Sequence, residues 1–222
     1  MEKRRDFIQF CIRFVAGVGI SSSAFLSSAE RLYAKAVAKV EKILLPNGTK
    51  RDTLIHENPS ALDTRNLEIT PLEDFQTMGI TDHGVDLDTW RFEVAGGVKS
   101  PLQFTYSEIQ ELPSIEKDVL LICPGFFANN GRWKGISMKD FLDRVGMEKD
   151  VSHVIFRGPE SSYEKVESFP IEEVVSGQVF LAYGVNGQSL PKKHGFPLRV
   201  VAEGHYGFEW VKYVYKMTLE KG

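Results

Sequence analysis

Cysteine is nearly absent from this chain: Cys11 and Cys123 are the two copies in 222 residues. That scarcity excludes a disulfide-dense scaffold and a cysteine-rich zinc site. Charge of one sign is scarce too. With 27 Lys and Arg against 30 Asp and Glu, the net charge is −3, so no electrostatic case exists for nucleic acid as a partner. Long apolar runs are missing. The stretch over residues 10–26 is interrupted by Arg13 and by Gly and Ser, which makes it a poor membrane span. The rest of the composition, 42% hydrophobic, 11% aromatic and 26% charged, is that of a globular protein and excludes disorder and collagen. The length suits one large domain, or two small ones.

The chain opens with Lys3-Arg4-Arg5-Asp6-Phe7-Ile8, a weakly apolar stretch and then small residues such as Ser27-Ser28-Ala29. A basic start, a modest apolar centre and a small-residue end predict an export signal over residues 1–36. Arg4-Arg5-Asp6-Phe7-Ile8 resembles the twin-arginine signal, and the competing reading is an amphipathic helix docked on the domain. The twin-arginine route carries proteins already folded, often around a cofactor. The resemblance therefore implies the periplasm, the twin-arginine machinery as a partner, and a membrane tether if the signal stays uncleaved. Residues 1–36 hold six basic and three acidic side chains, so the remainder carries about −6 and a single cysteine, Cys123. A lone thiol in an oxidising compartment needs burial or a function.

Residues 37–64 read as a polar lead-in with turn signals at Pro46-Asn47-Gly48 and Asn58-Pro59. A single domain over residues 65–222 follows. Alternation over 90–94 predicts a strand, 102–106 a second, and Ser107 is placed to cap a short helix that Pro113 stops. The apolar run 119–123 predicts a buried strand ending at Cys123, before a Gly-rich loop over 124–131. Ser137 is placed to cap a helix over 138–145 that ends at Gly146. Strands are expected at 152–156, 179–185, 198–202 and 211–219, a short helix or turn at 171–175, and a hairpin at Asn186-Gly187. Short helices scattered among more numerous strands give an α+β fold with a mixed sheet.

Two constellations carry chemistry. Cys123 ends a strand beside a loop, where functional groups reach a ligand, although a buried core cysteine is the plain alternative. Downstream, Lys192-Lys193-His194-Gly195-Phe196-Pro197-Leu198-Arg199, with Trp210 and Lys212 beyond, gathers cationic donors on stiff turns. Such donors suit an anion such as phosphate, where the alternative is a solvated basic loop.

Four blocks in order resemble the molybdopterin-binding domain of the sulfite oxidase family, which also includes plant-type nitrate reductases and the periplasmic methionine sulfoxide reductase catalytic subunit. They are Asp88-Thr89-Trp90-Arg91-Phe92-Glu93-Val94-Ala95-Gly96 with Pro101-Leu102; the strand ending in Cys123; Trp133-Lys134-Gly135-Ile136-Ser137-Met138-Lys139-Asp140-Phe141-Leu142; and Leu181-Ala182-Tyr183 with Asn186-Gly187, Leu190-Pro191, His194 to Arg199 and Lys212. The resemblance implies a sulfite-oxidase-type mixed-sheet domain and a molybdenum–molybdopterin cofactor that performs two-electron oxygen-atom transfer. It implies that Cys123 is the thiolate ligand of molybdenum and the catalytic residue. His194, Arg199, Trp210, Val211 and Lys212 would bind the pterin and its phosphate. Phe75, Gln76 and Thr77 would form an early pterin-contacting loop, and Gly158 would offer backbone only.

Departures from the family pattern bear on the substrate. Where sulfite oxidases place an arginine five residues after the cysteine, this chain has Ala128. That predicts an apolar pocket and a neutral small molecule such as a sulfoxide over sulfite, with Arg132 and Arg157 as substitute cations. The sequence has no Cys-x-x-Cys-His motif, and the resemblance covers residues 65–219 without the family's C-terminal dimerisation domain. Electrons are therefore expected to pass to or from a separate protein, a cytochrome or a membrane heme subunit. Two other readings stand beside this one. In the first, Cys123 is a nucleophile served by His153, His194 or His205. In the second, the domain is a binder that has lost its metal.

Overall fold

The apolar–polar alternation over 90–94 puts Trp90, Phe92 and Val94 in the core, and a strand runs from Phe92 to Gly96. A computed structural model describes residues 42–160 and 165–222, so the export signal expected over 1–36 lies outside the described residues. In chain order the strands and helices are β1 (Ile43–Leu44), β2 (Leu62–Asp63), β3 (Phe92–Gly96), β4 (Leu102–Phe104), α1 (Tyr106–Glu111), β5 (Ser114–Cys123), β6 (Phe127–Ile136), α2 (Met138–Val145), β7 (Val151–Arg157), β8 (Val166–Pro170), α3 (Ile171–Val175), β9 (Val179–Val185), β10 (Gln188–Ser189), β11 (Arg199–Ala202) and β12 (Lys216–Lys221).

Two five-stranded sheets form the body. In the first, β10, β9, β6 and β5 lie in that order, all antiparallel, with β11 also paired to β9. In the second the order is β4-β3-β12-β7-β8, and β3 runs parallel to β12 while the other pairs are antiparallel. The expected α+β fold with a mixed sheet is present. One buried cluster joins both sheets through Phe92, Phe156, Phe180, Val200 and Met217, and α2 adds Phe141 and Leu142. Each large side chain removed from water there contributes about 1.5–3 kcal/mol.

Local signals explain several boundaries. α2 starts after Ser137, whose hydroxyl donates to the Asp140 carboxylate and makes no cap bond to the main chain, contrary to expectation; it ends at Gly146, which takes the left-handed conformation (φ 72°) that a side chain would disfavour. β9 turns into β10 through Asn186 (φ 51°) and Gly187 (φ 75°), the pattern a two-residue hairpin demands. The cap of α1 differs from expectation. Thr105, not Ser107, accepts from the Glu108 N–H, and the Glu108 carboxylate returns to the Thr105 N–H, a reciprocal capping box.

The Gly-rich loop expected at 124–131 is a strand. Residues 124–126 alone make the turn, and β6 begins at Phe127. The polar pair Asn129-Asn130 suggests a loop, but both side chains are buried and bonded to the segment 67–76. Asn130 Nδ2 donates to Leu67 O at 3.0 Å, and the Asn130 N–H donates to Thr70 Oγ1 at 2.9 Å. The strand expected over 211–219 is shorter, beginning only at Lys216, because Val211 and Val214 bond across to Val200 and Leu198 in irregular chain. β8 was not foreseen. Residues from Lys42 onward pack as well: Leu45, Leu54, Leu62 and Leu67 close over Leu120, Ile122 and Ala128 in a second apolar cluster. Lys42 to Gly222 is one compact unit.

Candidate cofactor site

Strand parity builds the site. In the β5–β6 hairpin, Cys123 pairs with Phe127 and Leu121 with Asn129, while Ile122 pairs with Ala128. Side chains alternate faces along a strand, so Leu121, Cys123, Phe127 and Asn129 share one face. All four line a cavity of about 710 Å³, a size suited to a cofactor. Ile122 and Ala128 face the other way, into the leucine cluster. Ala128, expected to make the pocket apolar, thus lies outside the cavity, and Phe127 shares the Cys123 face instead. Arg132 does not turn in either, since it forms a two-pronged ion pair with Asp118 at 2.8 and 3.0 Å on the exposed side. Arg157 lies on β7 and is not among the cavity-lining residues.

The opposite wall comes from the segment between β10 and β12. His194 ends a short 3-10 turn, and Gly195 follows at φ 106°. A Cβ at Gly195 would lie 3.1 Å from Arg199 Cβ and 3.2 Å from Lys212 Cβ, so glycine lets Arg199 and Lys212 converge on this turn beside His194. Arg199 is buried, and its guanidinium lies 4.9 Å over the Trp133 ring and 5.4 Å over the Trp210 ring. Its hydrogen-bond partners are main-chain oxygens, His194 O at 3.0 Å and Val200 O at 3.3 Å. Lys212 Nζ donates to Met78 O at 3.0 Å, Thr77 Oγ1 at 3.2 Å and Lys193 O at 3.2 Å.

Phe75, Gln76 and Thr77 line the same cavity. Gln76 is held by Asn129, which accepts from the Gln76 N–H at 3.2 Å and donates to Gln76 O at 2.8 Å. Val211 and Gly158 are not in the lining. Val211 is buried in the core, and the Gly158 N–H donates to Lys165 O at 2.9 Å.

The electrostatics are one-sided. Lys165, His194, Arg199 and Lys212 line the cavity, and among the described residues no aspartate or glutamate does. Burial, then the charge of Arg199, presses Lys212 down to about 8. Burial presses Arg199 down to about 9. Burial, then Arg199, Lys193 and Lys212, press His194 down to about 4. His194 is buried, and its Nε2 has no hydrogen-bond partner. An orphaned polar atom beside uncompensated cations calls for an anionic ligand.

Cys123 is a free, half-buried thiol, and burial raises its pKa. A metal cation beside it would reverse that and hold the thiolate. The nucleophile reading finds little help. His205 is engaged by Glu173 and Glu209, His153 lies on β7 beside Ser152, and His194 is the one histidine in the cavity lining. Sequence reasoning missed Phe127, Asn129, Tyr213 and the 78–80 stretch, which all line the cavity. Counting alternate positions onward from Cys123 across the turn finds the first two. The last two lie too far along the chain for any local pattern to reveal.

Comparison with known proteins agrees with this geometry. The family model "Oxidoreductase molybdopterin binding domain" matches residues 78–222. The chain belongs to that family. It is an oxidoreductase domain, and its cofactor is molybdenum–molybdopterin. Among its relatives is a putative protein-methionine-sulfoxide reductase subunit, YedZ1, of Azospira oryzae, 28% identical over 130 residues covering 59% of this chain and 48% of the relative. Human mitochondrial sulfite oxidase is 30% identical over 193 residues, covering 74% of this chain and 35% of the relative. The sulfane dehydrogenase SoxCD of Paracoccus pantotrophus shares the fold, with a TM-score of 0.61 at 22% identity, covering 85% of this chain and 52% of that one. The chain thus spans about half, or less, of the length of these proteins.

Proposed function

We propose that this chain is the molybdenum-binding part of an exported enzyme that transfers oxygen atoms to or from a small neutral substrate such as a sulfoxide. The observation that carries the reading is the shared cavity: one thiol, Cys123, with Lys165, Arg199, Lys212 and the unpartnered His194 ring, and no carboxylate among the described residues. Cys123 is the metal ligand, a soft sulfur suited to that metal. Arg199 and Lys212 hold the terminal phosphate, and His194 Nε2 completes a hydrogen bond to the pterin arm. Gln76 and Thr77, braced by Asn129 and Lys212, form the side wall. When bound, the cofactor supplies two-electron oxygen-atom transfer. In the reductive direction, a sulfoxide takes two electrons and two protons and leaves as thioether and water.

Substrate choice follows from the ring of Phe127, which stands opposite Cys123 in the hairpin. An aromatic face favours an uncharged group over sulfite and excludes water from the reacting side. Electrons come from a separate carrier, and residues 1–36 direct the folded protein to the periplasm by the twin-arginine route. The test is purification from periplasm, assay of molybdenum and pterin, and a screen of sulfoxides, N-oxides and sulfite with artificial electron carriers. A sulfoxide substrate is expected, with Cys123→Ser abolishing turnover while pterin stays bound. Turnover surviving that substitution, or hydrolysis by metal-free protein, overturns the reading.

A further inference from the structure

His205 has no part in the reading above, yet it is the most heavily braced histidine in the fold. It lies between β11 and β12, in irregular chain that delivers Gly207, Phe208 and Trp210 to the cavity wall. Its Nε2 is 2.8 Å from Glu173 Oε2 on α3, and its Nδ1 is 3.0 Å from Glu209 Oε1. Carboxylates only accept, so both ring nitrogens must donate, which the imidazolium alone does. Burial favours the neutral ring, but the two carboxylates outweigh it and hold the pKa above the usual histidine value. Among the described residues, Glu173 and Glu209 are the charged groups that act on the ring. Phe169 of β8 packs edge-on at 5.1 Å, and the Ala202 carbonyl of β11 accepts the His205 N–H at 3.2 Å.

The same residue reaches the cavity through its backbone. His205 O accepts from Trp210 Nε1 at 3.3 Å, and Glu209 Oε2 accepts from the Tyr206 N–H at 2.9 Å, closing the turn that precedes Trp210. Trp210 in turn packs against Trp133 at 5.6 Å, and the two rings bracket Arg199.

We propose that His205, clamped as an imidazolium between Glu173 and Glu209, is a positioning residue that fixes the Trp210 wall and thereby retains the cofactor. The proposal rests on the reading of that cavity as the cofactor site. A neutral ring donates from one nitrogen only, so the clamp is whole below the ordinary histidine pKa and loses one bond as the pH climbs through the raised value.

The test compares holoprotein of the native sequence with Glu173→Gln and His205→Gln. It reads the ring nitrogens of His205 by NMR, tryptophan emission, and the rate of molybdenum and pterin loss at pH 6 and pH 9. Lys212 is common to all three proteins, so differences between them isolate the clamp. The native protein is expected to show two protonated ring nitrogens at pH 7. At pH 6 both variants should lose cofactor several-fold faster than native protein, and at pH 9 the native protein should approach them. A single-tautomer neutral ring at pH 7, or a Glu173→Gln protein that retains cofactor like the native one at both pH values, overturns the proposal. If His205→Gln does not fold, the NMR and Glu173→Gln decide alone. Native protein without molybdenum would overturn the cofactor reading instead, leaving NMR and emission to judge the clamp.

Discussion

Gln76 and Asn129 bond to each other twice, main chain to side chain in both directions, across 53 positions of sequence. The exchange fastens an irregular stretch, with no sheet partner, to the central strand β6. It also fills the hydrogen-bonding needs of a buried amide on the cavity face.

Asn129→Ala should therefore loosen the 76–80 wall more than it weakens the fold. The expected loss of stability is about 0.5–1.5 kcal/mol per missing bond, read by denaturant unfolding. Faster cofactor loss and faster amide exchange over 76–80 should accompany it. Unchanged exchange there would remove the fastening role.

Arg199→Met should separate folding from cofactor binding. In the cofactor-free protein Arg199 is a buried cation with no carboxylate, and replacing such a charge by an apolar side chain of similar reach is often neutral or stabilising. The melting temperature without cofactor should stay level or rise, while pterin content after gel filtration falls more than tenfold. A collapse of the fold would mean that Arg199 serves packing first.

His194 sets an acid-side slope. Folding depresses its pKa from 6.5 to about 4, so the unfolded chain binds the proton first as the pH falls. The cofactor-free protein should lose stability from about pH 6.5 downward until the folded-state value is passed. His205 has the opposite sign, and its contribution is intact across this window. Thermal melts from pH 7 to 4.5 should show a shallower decline for His194→Gln than for the native sequence.

Ala128→Arg should fail to recreate an anion-binding arginine. The side chain would enter the cluster of Leu45, Leu54, Leu62 and Ile122, where an unpaired charge costs several kcal/mol. Loss of folded protein is expected, with no gain of sulfite turnover. Phe127→Arg, on the other face, is the substitution that would bring a cation to Cys123.

Much of the architecture could be read directly. The helix between Ser137 and Gly146, the Asn186-Gly187 hairpin and the buried strand before Cys123 each carry a local signal strong enough to survive in the fold. The set His194, Arg199 and Lys212 is legible because a block of fixed spacing holds the first two together. The 127–136 strand is not, because Asn129, Asn130 and Gly131 spell a turn by composition. Their burial depends on partners more than 50 residues away. Ala128 was misplaced for the same reason: the facing of a strand residue follows from where the strand starts, and that start was hidden.

Lys212 reaches back 132 to 135 positions to meet Ile80, Met78 and Thr77. One wall is complete by Trp133, but the cationic wall comes from His194 to Tyr213, so a ribosome must release the chain through Tyr213 before the walls can meet. Such long-range closure is slow relative to local structure. The prosthetic group is therefore a late arrival that locks a finished vessel, and cells starved of it should accumulate folded, empty protein rather than aggregated chains.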